Sequence, residues 1–121
     1  MTQEIKVFTG SYRIALRDCV GNGFIPQTLS QVGRLLREGK LEKTGWYDTV
    51  TLWWCVEYDQ RNATAQNIKD IITGKNLLVR PVCVSGLWSA ALSYDYLDGD
   101  SGRLVGVKRQ SRKKTTKVNL L

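Results

Sequence analysis

The stretch Gly45 to Asp59, GWYDTVTLWWCVEYD, constrains the fold more than any other part of the chain. Its even positions Val50, Leu52, Trp54, Val56 and Tyr58 are large and apolar or aromatic, whereas Thr49, Thr51, Trp53, Cys55 and Glu57 are half polar. Side chains of a strand alternate between faces, and β-branched and aromatic residues suit a pleated surface. The pattern therefore predicts one long, half-buried strand near the centre of a sheet.

The other segments are read around that strand. Glu4–Phe8 alternates and predicts a first strand. In YRIALRDCV, Tyr12, Ile14, Leu16 and Val20 share one parity, which predicts a second strand hairpinned to the first through Thr9-Gly10-Ser11. From Thr28 the period changes: Leu29, Val32, Leu35 and Leu36 line one helical face, with Thr28 as N-cap and Gly39 closing the helix. Ala65, Ile68, Ile71 and Ile72 repeat that spacing after Asn62, a candidate N-cap. Leu77–Val84 is a strand in which Pro81 demands an edge or a bulge. Trp88–Tyr96 alternates again, and Asp98-Gly99-Asp100-Ser101-Gly102 turns the chain into a last strand, Arg103–Val107.

The expected fold is α+β in the order β-β-α-β-α-β-β-β. It is a mainly antiparallel sheet of five to six strands, with two short helices on one face. Its core is built from Val50, Leu52, Trp54, Val56, Leu92, Tyr94, Leu35 and Ile71. A chain of 121 residues supports one domain, here residues 1–107, followed by a basic, mobile tail over residues 108–121. No apolar run reaches the length of a membrane span, and the N-terminus lacks a signal-peptide layout, so the expected location is cytoplasmic. In that compartment Cys19, Cys55 and Cys83 are expected as free thiols.

Charge supplies the functional clue. Within residues 1–100, eleven Lys and Arg balance eleven Asp and Glu. The net charge of +7 therefore resides in Arg103, Lys108, Arg109, Arg112, Lys113, Lys114 and Lys117, a stretch without any acid. Such asymmetry points to a polyanionic partner. Flexible basic segments bind phosphates without reading sequence, and Trp46 and Trp53 are candidates to stack on exposed bases. The expected function is non-enzymatic, non-specific binding of RNA or single-stranded DNA by this ribbon, with the body left for self-association or a protein contact.

Other chemistry is thinly supported. With no histidine anywhere, His-based catalysis and His-ligated zinc are excluded. The cysteines lack a CxxC spacing, and GRLLREGK over residues 33–40 departs from the phosphate-loop pattern in length and in carrying Leu41 after the lysine. No metal or cofactor is expected. The alternatives are an accessory or structural protein of viral or phage type, whose tail meets acidic lipid or an acidic partner, and a metal-dependent nuclease using Asp95, Asp98 and Asp100.

Overall fold

A computed structural model of the chain describes residues 3–109 except Ser89 and Ser101. Its elements are β1 (Ile5–Gly10), α1 (Tyr12–Gly21), β2 (Phe24–Pro26), α2 (Leu29–Arg37), β3 (Trp46–Trp54), β4 (Asp59–Asn62), α3 (Ala65–Ile72), β5 (Val79–Ser85), β6 (Leu92–Tyr94) and β7 (Gly102–Lys108). The fold is α+β, as expected. Its mixed sheet runs β1-β7-β3-β5-β6, with β2 added to β7 and β4 to β3. All pairings are antiparallel except β3 with β7, which run parallel with Asp48 opposite Leu104.

Tyr12–Gly21 is a helix, where the sequence predicts a second strand. Tyr12, Ala15, Leu16 and Cys19 are all buried, and their spacing is that of one helical face; Ile14 and Val20 point outward. Ser11 caps it by accepting the Ile14 N–H. The small apolar residues Ala15 and Cys19 complete a pattern that the larger residues alone leave ambiguous. With that segment helical, β1 pairs with β7 instead. The second expected hairpin also fails, because β6 pairs with β5 while β7 crosses to the middle of the sheet.

Helices α2 and α3 form where their periodicity places them. Each opens with a capping box: Thr28 with Gln31, and Thr64 with Asn67. Thr64 thus replaces Asn62 as the cap of α3. The helices do not share one face of the sheet. Tyr12, Leu16 and Cys19 from α1 and Ile71 from α3 pack with Phe8, Val50, Leu52 and Leu104. On the other side Val32, Leu35 and Leu36 of α2 pack with Tyr47, Val84, Val105 and Val107. Arg13 ties α1 to the end of α3 by donating to the carbonyls of Ile71 (2.6 Å) and Lys75 (3.0 Å).

Coverage on both faces explains why β3 is buried at consecutive positions from Tyr47 to Leu52 rather than at alternate ones. The threonines among them bond to backbone groups. Between Asp48 and Leu52 the register with β5 shifts, and Leu52 comes to lie opposite Pro81. The bulge falls where proline has no N–H to give. Thr49 Oγ1 donates to Val82 O (2.8 Å), and Leu29 N–H donates to Thr51 Oγ1 (2.9 Å). Tyr12 Oη donates to Thr49 O (2.7 Å). Leaving such groups unpaired in the interior would cost about 1–3 kcal/mol each.

The expected core is half present. Val50, Leu52, Leu35 and Ile71 are buried and Trp54 is half-buried. Val56, Leu92 and Tyr94 are exposed. For Val56 the reason is that β3 ends at Trp54, so residues 55–58 form a turn into β4. For Leu92 and Tyr94 it is that β6 is a three-residue edge strand. No helix among the described residues is long and apolar enough to cross a membrane.

Candidate functional site

The parallel pairing of β3 with β7 sorts the residues singled out for polyanion binding into two groups. With Asp48 level with Leu104, Trp46 lies beside the start of β7, near Arg103. Trp53 lies seven residues farther along β3, opposite Arg80 of β5 and Gln60 of β4, where β3 has parted from β7. About 23 Å of strand separates the two tryptophans. Arg112, Lys113, Lys114 and Lys117 lie outside the described residues.

At the first end, Arg103 is engaged within the fold. Its Nε donates to Trp46 O (3.1 Å), its Nη2 to Thr44 O, and the guanidinium lies 4.0 Å from the Tyr47 ring centroid. Gly45, at φ +61°, leaves the room this group needs, since a Cβ there would come within 2.7 Å of Nη2. Lys108, at the far end of β7, reaches Asn22 O (3.2 Å) and lies over the Phe24 ring.

Trp53 belongs to an aromatic surface. Cross-strand partners share a face, so the pairs Trp53–Arg80 and Val82–Tyr94 put Trp53, Arg80 and Tyr94 on the side that α2 covers farther along. None of the three is in the apolar cluster beneath α2. The Trp53 ring centroid is 5.8 Å from Tyr94 and 6.3 Å from Tyr58. The Arg80 guanidinium lies 4.2 Å from the Tyr96 ring and 5.8 Å from the Tyr94 ring, fixed by bonds to the carbonyls of Asp95 and Tyr94. Tyr58 is 80% exposed and holds φ at +53°, a left-handed conformation that costs a non-glycine residue about 1–2 kcal/mol. Strain of this kind is concentrated at functional turns.

A different chemistry occupies the first end, in a cleft of about 390 Å³ lined by Trp46, Asp48, Cys83, Ser93, Tyr94, Asp95, Gly102 and Arg103. Asp48 is only 3% exposed. Its Oδ1 accepts from the Cys83 thiol (3.0 Å), and its Oδ2 has no hydrogen-bond partner among the described residues. Gly102 makes this possible, because a Cβ there would collide with Oδ2. Asp95 Oδ1 accepts the Tyr96 N–H (2.7 Å), and its Oδ2 is the atom nearer Gly102. Burial, reinforced by the like charge of Asp95 and opposed by the Cys83 hydrogen bond, pushes the Asp48 carboxyl up to about 7. Burial and the neighbouring carboxylates push the Cys83 thiol up too.

The acidic turn of the nuclease alternative is divided between two surroundings. Asp98 faces away into a bidentate pair with Arg13 (2.8 and 3.0 Å), whose hydrogen bond lowers its pKa. Asp95 alone enters the cleft, and its companion there is Asp48, which the sequence analysis does not single out. The signal existed: Asp48 has the parity of Val50 and Leu52, a carboxylate on an otherwise apolar face. Comparison with protein-family models, curated proteins and solved structures finds no match for the chain.

Proposed function

We propose that the protein is a non-enzymatic module for single-stranded nucleic acid, RNA or DNA, held without sequence preference. Bases stack on Trp53, Tyr58 and Tyr94, and phosphates are met by Arg109 and the basic run Arg112, Lys113, Lys114 and Lys117. The observation that supports this reading is the contiguous aromatic surface around Trp53, left uncovered on a sheet face and edged by Arg80. Aromatic faces accept any unpaired base, and a cationic groove or segment beside them supplies affinity for the backbone. Duplex, with its bases already stacked, offers only phosphates to the same surface.

The test is an anisotropy titration of labelled single strands and duplex over a series of salt concentrations. It compares the intact chain with a variant in which Arg112, Lys113, Lys114 and Lys117 are glutamine. Single strands should bind more tightly than duplex, and the variant should flatten the log–log salt slope by about 3, at ~0.7 per phosphate contact. Absence of binding at low salt, or sedimentation with anionic vesicles without any nucleic-acid binding, overturns the proposal.

A further inference from the structure

The cluster of Asp48, Cys83 and Asp95 is independent of the aromatic surface. It contains a buried carboxylate oxygen with no partner, one thiol and a second carboxylate, at the floor of an open cleft. One ligand atom from each residue lies within 4.8 Å of the other two. Bonds of about 2.0 Å to oxygen and about 2.3 Å to sulfur set the ligands of a tetrahedral ion about 3.3–3.5 Å apart, so side-chain rotations that draw the three atoms inward by about 1 Å complete the site. Three separate elements or their flanks supply the ligands: Asp48 from β3, Cys83 from its register partner on β5, and Asp95 from the residue after β6.

We propose that Asp48, Cys83 and Asp95 bind a divalent transition-metal ion of the zinc class, with its fourth position facing the cleft beside Trp46, Ser93 and Tyr94. An ion there would satisfy Asp48 Oδ2, which receives no hydrogen bond among the described residues and has only the Asp95 carboxylate beside it. The thiol decides the class of ion. Sulfur is a poor ligand for magnesium or calcium, which take oxygen, and a good one for zinc and cobalt. On binding, the Cys83 S–H bond breaks and its proton passes to solvent. So does any proton held between the carboxylates, and metal–sulfur and metal–oxygen bonds form without change of oxidation state. Gly102 is part of the site, since any side chain at that position would fill the space above Asp48.

Cobalt(II) is the first probe, followed by zinc displacement, on the full chain purified in chelator and then freed of it. One equivalent of cobalt should produce a thiolate-to-metal charge-transfer absorption that zinc abolishes. Zinc should release protons and raise the melting temperature, and magnesium should do neither. Cys83→Ala should lose the charge-transfer band, and Cys55→Ala should keep it. Asp95→Asn, at a half-buried position with less risk to folding, should weaken cobalt binding at least tenfold and remove the zinc-dependent rise in melting temperature. Circular dichroism in chelator verifies that each variant is folded. If Cys83→Ala does not fold, Asp95→Asn decides the matter. No cobalt binding by the intact chain, or a band that survives in Asp95→Asn at full affinity, overturns the proposal. So does a band lost in Cys55→Ala.

Discussion

The two ends of β3 are made of similar residues and meet opposite fates. From Tyr47 to Leu52 the strand is covered by α1 and α3 on one face and by α2 on the other, and every residue is buried. From Trp53 onward the α2 face is open, and Trp53 and Tyr58 remain half or fully exposed, whereas Trp54 on the other face still packs against the α1/α3 cluster. Alternation in the sequence is the same through both halves. Burial is thus decided by what crosses the strand, and the threonines succeed inside because a bulge gives their hydroxyls backbone groups to bond. The closed half carries an acidic cluster, and the open half carries a stacking surface.

Several substitutions sharpen this division, beginning with the largest effect. Leu52→Ala, in the closed half at 0% exposure, should destabilise the protein by about 2–5 kcal/mol in chemical denaturation. Trp53→Ala, one residue on, should cost far less stability. If both cost the same, the boundary between the halves is misplaced.

The second test is of pH dependence in the presence of chelator. Asp48 titrates near 7 in the folded protein against 3.8 for the ordinary carboxyl. Between those values the folded state holds the extra proton, so stability falls as pH rises through the window. The full loss is of the order of 4 kcal/mol. Asp48→Asn should flatten the profile and be more stable than the parent above pH 7. A parent profile that rises between pH 4 and 7, or one unchanged by the substitution, contradicts the burial argument.

Tyr58→Gly gives the smallest and most diagnostic effect. Glycine relieves the left-handed backbone at that position, a gain of about 1–2 kcal/mol reduced by its greater freedom in the unfolded chain. Its melting temperature should hold or rise while affinity for single strands drops several-fold. Loss of both would make Tyr58 a structural residue only.

Much of the fold is legible in the sequence where one period dominates. Helix α2 follows from Leu29, Val32, Leu35 and Leu36, and Pro81 announces the bulge. Gln31, three residues beyond Thr28, is a capping-box signal that the sequence analysis passes over. The α1 segment is misassigned because Tyr12 and Leu16 fit both periods, and only the small residues Ala15 and Cys19 decide between them. Strand partners are not legible. Neighbours in sequence are the ordinary default, and β7 breaks it by inserting between β1 and β3. That same crossing brings Gly102 over Asp48, so the cleft depends on the least readable part of the topology. Trp53, by contrast, stands out as a stacking candidate from its composition, although its companions Tyr58, Tyr94 and Arg80 emerge only with the register.

The most direct test of the central claim compares Trp53→Ala with Trp46→Ala in binding a labelled single strand at fixed salt. Trp53→Ala should lose about 1–3 kcal/mol, roughly 5- to 150-fold, with its salt slope intact, while Trp46→Ala binds as the parent does. Equal affinity of Trp53→Ala and the parent, or loss confined to Trp46→Ala, would contradict the assignment of nucleic-acid binding to the open end of β3.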